Sequence, residues 1–207
     1  MFQYNPDNKI FQALSLYFDL VVLVAVWIAA SVPIVTIGVS TTALYRVLFR
    51  MQTEEGETHV VRSFFRYWRG EWKQSTAVGM LLLGFLILAG GNLLICVAYL
   101  PEGAAGIILW SGALLSLALA LCLLVYVFPV NARFHCTTRQ VFANAARFVV
   151  GNPGQTLVLV LLLMLMGAST FALLALSIFA LGPMLYLSAK RLNTVFTPVV
   201  RRYEEEC

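Results

Sequence analysis

The sequence predicts an all-α, polytopic membrane protein of about five spans, and its composition, hydropathy pattern and charge distribution each support that class. Hydrophobic residues make up 60% of the 207 residues and charged residues only 12%, whereas soluble domains carry about 45–50% apolar and about 25% charged residues. The mean hydropathy is +0.85. This composition excludes a soluble enzyme and a nucleic-acid-binding domain, because a water-facing surface could not be covered. Residues 1–207 are predicted to form a single membrane domain.

The first span is predicted over residues 20–39, and Asp19 lies at its edge, immediately before residue 20. The ten residues at the start of the chain are polar and nearly neutral, so they lack the positive beginning of a secretory signal, and the span is expected to be retained. The alternative is a re-entrant segment that breaks at Pro33. That alternative leaves four spans plus one broken segment and places the N-terminus inside.

The second and third spans are predicted over residues 77–100 and 104–128, which are uncharged throughout. Only Pro101, Glu102 and Gly103 separate them, and proline and glycine stop one helix and let the chain reverse. These residues predict a tight helical hairpin.

The last apolar run, residues 157–189, is too long for one upright span and leaves no room for a loop between two. Residues 167–170 and 182–183 are the predicted weak points. Two final spans leave every basic residue except Lys9 on the cytoplasmic side, whereas one would move the basic tail outside. The sequence therefore favours a final hairpin and a cytoplasmic C-terminus. The tail residues are Lys190, Arg191, Arg201 and Arg202.

Residues 31–42 are a poor end for a simple span, because Pro33 removes a backbone donor and Gly38 loosens a helix. Ser40 or Thr41 is predicted to cap a new helix that runs through Arg50. A broken helix lining a cavity is the functional interpretation, since irregular backbone at membrane depth is tolerated where protein or water satisfies it. An ordinary exit from the bilayer is the simpler alternative. The candidate residues of this broken segment are Pro33, Thr36, Gly38, Ser40 and Thr42.

Residues 57–76 are predicted to form an amphipathic interfacial helix. Val60, Phe64, Trp68 and Trp72 follow a four-residue row that is expected to lie in the headgroup boundary. Glu71 falls out of place inside this apolar arc. The basic residues on the other side are candidates for contact with lipid phosphates or an acidic partner, although a helix that only rests on lipid and its own spans is the simpler alternative. These candidates are Arg62, Arg66, Arg69 and Lys73.

A second helix is predicted over residues 138–150, with Thr137 or Thr138 as its cap and residues 151–154 as its stop. Arg147 lies opposite its apolar side and is a further candidate for partner or lipid contact. Both long connections on the predicted inner face are thus expected to fold against the membrane.

Three stretches resemble the YesL family of small bacterial membrane proteins: residues 31–45 (SVPIVTIGVSTTALY), 63–76 (SFFRYWRGEWKQST) and 128–134 (FPVNARF). The resemblance spans nearly the whole chain, and the first stretch is its most specific part. Members tend to be encoded beside carbohydrate ABC importers and sugar-responsive regulators, so the resemblance implies an accessory part in oligosaccharide uptake. The family has no established catalytic or ligand residues, and none is carried over.

The sequence offers little chemistry, since His59 and His135 are the only histidines and lie in no metal-binding or catalytic motif. The four cysteines, Cys96, Cys122, Cys136 and Cys207, have no disulfide or zinc spacing. We therefore expect no enzyme activity, no metal and no cofactor.

A non-catalytic subunit, accessory or regulatory to a carbohydrate ABC importer, is the predicted function. The alternative is a stand-alone small-solute transporter or a facilitative channel; against a coupled transporter, the predicted spans hold no ionisable group except Asp19 at an edge. The expected partners are membrane lipid, importer permease subunits and further copies of the chain, but no nucleic acid.

Overall fold

The computed structural model describes residues 9–53, 59–70, 72–99, 103–134, 137–172 and 177–205, and within these ranges the chain is helical with no strand. The all-α prediction is confirmed. The helices are α1 (Lys9–Ala30), α2 (Ile37–Met51), α3 (Val60–Gly70), α4 (Trp72–Tyr99), α5 (Gly103–Arg133), α6 (Thr138–Gly151), α7 (Pro153–Ala172) and α8 (Ser177–Glu205), and a short 3-10 turn (Ile34–Thr36) precedes α2.

Four of the described segments are long and apolar enough to cross a membrane, and a bent helix pair would make a fifth. This number agrees with the predicted five, but the set differs. The segment Ile34–Met51 qualifies although it was not expected to span. Among the described residues, α7 qualifies only together with α6, to which it is bent by 107°, and α8 does not qualify. The four segments are Gln12–Ala30, Ile34–Met51, Trp72–Tyr99 and Gly103–Arg133.

The predicted boundaries of the first span are wrong. α1 already runs from Lys9 and ends at Ala30, so Asp19 lies within it. The helix stops because Pro33 cannot donate a backbone hydrogen bond and restricts the residue before it. The next α-helix begins at Ile37, with Thr36 and not Ser40 or Thr41 at its N-cap position.

The predicted hairpin is present, since α4 and α5 pack side by side. Gly103 opens α5 with φ +74°, a conformation that suits glycine, whereas Leu100, Pro101 and Glu102 lie outside the described residues. α6 also agrees with its prediction. Thr137 caps it, and its backbone N–H donates to the Gln140 Oε1 atom at 2.9 Å.

The final apolar run forms two helices, but neither predicted weak point separates them. Residues 167–170 lie in α7 and residues 182–183 lie in α8, while residues 173–176 are outside the described part. Gly182 serves close packing instead, because a Cβ there would lie 3.1 Å from the Leu20 Cβ atom. α8 thus packs closely on α1.

The core of the bundle centres on α2, which packs against α1, α3, α4, α5 and α8. Where α4 begins and α5 ends, Phe49, Phe134 and Phe148 surround Phe196 with ring centroids 4.9 to 6.1 Å away. We name this the basic end, because α3 and the arginines of α2 lie here. It holds most of the described motifs.

Candidate functional site

The break between α1 and α2 is satisfied by hydroxyl groups of the chain itself. The Thr36 Oγ1 atom lies 2.7 Å from the carbonyl oxygens of both Ala30 and Pro33. Ser40 donates to the same Ala30 oxygen at 3.0 Å and accepts from the Trp68 indole N–H at 3.2 Å. These contacts fill carbonyl groups that a helix end leaves open. The polar residues of the break therefore face protein, and Thr36 is only 5% exposed.

Gly38 of α2 and Gly79 of α4 allow two helix backbones to touch. A Cβ on Gly38 would lie 2.8 Å from the Gly79 Cα atom, and a Cβ on Gly79 would lie 2.6 Å from the Gly38 Cα atom. No side chain fits at either position. Gly79 was not among the predicted site residues, although Ser75 and Gly79 have the four-residue spacing of small residues that is common where membrane helices meet.

Next to this crossing lies a buried hydrogen-bond cluster of Thr42, Gln74, Ser75 and Asn131, which we name the inner junction. The Asn131 amide donates to the Ser75 Oγ atom at 3.0 Å and to the Thr42 Oγ1 atom at 3.3 Å. Its oxygen accepts from the Gln74 amide at 3.2 Å. The junction joins α2, α4 and α5, so it brings together the three sequence stretches that carry the family resemblance.

Two arginines of α2 that the sequence did not single out also join helices. The Arg46 Nε atom donates to the Ala132 carbonyl oxygen at 3.0 Å, and its guanidinium lies 5.5 Å from the centre of the Tyr67 ring. Arg50 donates to the Tyr67 hydroxyl at 2.6 Å. Their i, i+4 spacing on α2 places both on one face. They connect α2 with α3 and with the end of α5.

The predicted interfacial helix is found as α3, but its apolar face is placed differently. Val60 and Phe64 are buried against the protein, at 5% and 0% exposure, and not in a headgroup boundary. Phe65 and Trp72 remain exposed. The helix also ends at Gly70, and α4 begins at Trp72. α3 packs on α2 and α1, over the break between them. Its buried apolar side chains therefore meet protein and not the membrane interface.

The basic residues lie on the outer side of α3, where Arg62, Arg66 and Arg69 are exposed and line a surface groove of about 870 Å³. Arg66 also contacts the Tyr67 hydroxyl at 3.3 Å and lies 5.1 Å from its ring centre. Lys73 is exposed at the start of α4 and does not line the groove. Arg147 is exposed on α6, contacts Asn144 at 3.4 Å, and is likewise not part of it.

The described residues contain no group of three acidic, histidine or cysteine side chains placed to hold a metal ion. Cys96 and Cys122 are free thiols. Glu71, His135, Cys136 and Cys207 lie outside the described residues.

Residues 20–93 match the model of a family described as a protein of unknown function, DUF624. This match includes the α1–α2 break, α3 and the α4 part of the inner junction. Comparison with curated proteins and with solved structures yields no match. The chain is a helical, membrane-type protein, and its residues 20–93 are similar to the DUF624 family.

Proposed function

We propose that the protein is a non-catalytic subunit of the bacterial cell membrane that serves a carbohydrate ABC importer as an accessory or regulatory component. The carbohydrate link rests on the resemblance to YesL proteins, which belong to the DUF624 family. In this proposal the basic end and the C-terminus face the cytoplasm, as the positive-inside bias favours. The protein acts through its partners and through lipid.

The observation that carries the proposal is the exposed basic row of Arg62, Arg66, Arg69 and Lys73. Within the described part of the chain, Arg62, Arg69 and Lys73 make no ion pair or hydrogen bond. The helix beneath the arginines is held in place by buried Val60 and Phe64. A basic surface held in a fixed orientation, with three side chains that are unpaired among the described residues, suits an acidic surface on a permease or the phosphates of an anionic leaflet.

A stand-alone transporter is the second candidate, and an internal cavity favours it. The cavity has a volume of about 220 Å³ and lies between α1, α2, α5, α7 and α8. Its walls are mostly leucine and other apolar side chains, and only Trp27, Thr41, Tyr45 and Ser188 offer polar atoms. A sugar would leave most of its hydroxyl groups unpaired there, which is costly. The cavity fits a small apolar solute better than a carbohydrate.

The test is recovery of the tagged protein in mild detergent, followed by mass spectrometry of the chains that accompany it. We expect permease chains of a carbohydrate importer. A purified sample that contains only this chain would contradict an accessory role. Uptake of a small apolar solute by vesicles containing the purified protein alone would instead support the second candidate.

A variant in which Arg62, Arg66 and Arg69 are replaced by glutamine should insert normally and lose permease recovery in a salt-dependent manner. Electrostatic contacts of this kind are screened within a Debye length of about 8 Å at physiological salt.

The matched control removes three exposed basic charges elsewhere at the same end of the molecule. It replaces Arg139, Lys190 and Arg191 with glutamine. Equal loss in both variants would indicate a general effect of net charge, and the specific role of the basic row would be rejected.

A further inference from the structure

Asp19 lies within α1, in the candidate span Gln12–Ala30, and not at the edge of a span. The apolar residues after it, 20–30, would cover only about 16 Å at 1.5 Å per residue. That is about half of a hydrocarbon core of about 30 Å. If α1 crosses the bilayer, the carboxylate of Asp19 must therefore lie well inside it.

The packing of α8 provides a second measure of this depth. Leu20, the neighbour of Asp19, lies against Gly182. Lys190 and Arg191 are exposed eight and nine residues further along α8, which corresponds to about 12 to 13 Å of helix. If α8 also crosses the bilayer and its exposed basic side chains mark the membrane boundary, Leu20 lies roughly one half-thickness from that boundary. Both measures place Asp19 near the middle of the membrane.

Asp19 has no partner in the described part of the chain, where its half-buried carboxylate makes neither an ion pair nor a hydrogen bond. An unpaired carboxylate at this depth is strongly disfavoured, and such residues normally pair or mark a functional site.

Gln12, Ser15 and Asp19 follow each other at three- and four-residue spacing, so they share one flank of α1. We name this flank the polar seam. Gln12 and Ser15 are exposed, whereas Leu20, Leu23 and Val24 turn into the core. The seam therefore runs along the outer edge of the bundle, where a helix from another chain can reach it.

We propose that the polar seam docks against a transmembrane helix of the permease and that this helix presents a lysine, arginine or histidine to Asp19. The proposal rests on the accessory role proposed above and names its intramembrane contact. Charge complementarity selects this occupant. A second copy of the chain is a poorer fit, because the described helices offer no basic side chain at the depth of Asp19 and a symmetric contact would bring two carboxylates together.

The experiment introduces a photo-crosslinking amino acid at Ser15 in the full-length protein in its native membrane. Leu14 is the matched control position, because it is exposed at nearly the same depth but lies about 100° around the helix. We expect crosslinks from position 15 to a membrane-spanning peptide that contains a basic residue, and few from position 14.

The charge dependence is tested by changing Asp19 itself. Asp19→Asn and Asp19→Leu should lower the crosslink yield about five- to thirtyfold, the range expected from polar pairs between membrane helices. Asp19→Glu should retain it. Asp19→Lys, combined with an acidic residue at the crosslinked basic position, should restore it. In detergent, Asp19→Leu should not lower the thermal stability, and a lower Tm would assign Asp19 a structural role within the chain and overturn the proposal.

The possible crosslinked products separate the two proposals. Crosslinks to lipid alone or to a second copy would overturn the intramembrane contact even if permease chains copurify, and the accessory role would then stand. A charge-dependent crosslink to a membrane protein that is no importer subunit would support a heteromeric seam while rejecting the importer assignment.

Discussion

At the scale of single residues, the basic end depends on two features that are sensitive to small changes, the glycine contact and the inner junction. Gly38 and Gly79 let α2 and α4 approach until their backbones touch. Asn131 then reaches Thr42 and Ser75 across the gap. The hydrogen bonds depend on the glycine contact, because bonds of about 3 Å cannot form between helices held apart by side chains.

Gly79→Ala is expected to destabilise the protein strongly. The added Cβ would lie 2.6 Å from the Gly38 Cα atom, and a backbone cannot yield as a flexible side chain can. The change should lower the Tm in detergent and the yield of folded protein. Gly84→Ala on the same helix is the control, since no atom lies within 4 Å of its added Cβ, and higher helix propensity should stabilise it by up to about 1 kcal/mol. Equal behaviour of the two variants would refute the close contact.

Asn131→Ala should cost about 2 kcal/mol, because it removes the three hydrogen bonds that the buried Asn131 side chain makes with Thr42, Gln74 and Ser75. Equilibrium unfolding in mixed micelles would measure the difference. Asn92→Ala, at an exposed position of α4, should change stability by no more than about 0.5 kcal/mol. A neutral Asn131→Ala variant would show that the junction contributes nothing net.

At the scale of elements, α3 shows how one helix divides its faces between protein and surroundings. Its inner face holds α2 and α1, while its outer face carries arginines next to exposed Phe65. Arg46 and Arg50 add contacts to Tyr67 from the side of α2. The three arginines of the basic row therefore stand on a helix that is fixed in orientation, as a docking surface requires.

Phe64 and Phe65 are adjacent and chemically identical, but they lie on different faces of α3. Substituting each in turn therefore compares the two faces. Phe64→Ala should cost about 3–5 kcal/mol, because the ring is fully buried and its removal leaves a cavity. Phe65→Ala, at 42% exposure, should cost clearly less. Thermal unfolding of both variants in the same detergent checks the difference. A larger loss of stability for Phe65→Ala than for Phe64→Ala would instead support the predicted orientation, in which the row that contains Phe64 faces the headgroups.

At the scale of the whole molecule, the bundle is asymmetric, because most of its described charged side chains lie at the basic end. α7 and α8 pack against each other and return the chain to the basic end, where Phe196 meets Phe49. This is the arrangement that a cytoplasmic C-terminus requires.

The cytoplasmic C-terminus is tested by labelling Cys207 with an impermeant thiol reagent, in a background whose other three cysteines are replaced by serine. No labelling is expected in intact cells, and full labelling after permeabilisation. An engineered cysteine at Asn5 should show the opposite pattern if the N-terminus is outside. Labelling of Cys207 in intact cells would defeat the proposed orientation, and protection of both positions would favour the re-entrant alternative.

Several features follow from the sequence alone, because they depend on properties that act along one segment. Composition determines the membrane class, and uncharged runs of sufficient length determine the α4–α5 hairpin. Pro33 indicates a break in the first apolar segment, since a missing donor and a steric restriction on its neighbour are local effects, although the predicted span ran on to residue 39. The periodicity of residues 60–70 likewise determines an amphipathic helix.

Only the tertiary structure decides what each face meets, because packing joins residues far apart in the chain. Periodicity identifies the apolar face of α3 but cannot say whether lipid or α2 covers it. Gly79 and Asn131 acquire their roles only when α4 and α5 lie beside α2. The position of Asp19 within α1 was missed for the same reason. Hydropathy places this charge at the edge of an apolar run. In the structure, α1 runs from Lys9 to Ala30 and the neighbouring Leu20 packs against Gly182, so Asp19 lies within the helix.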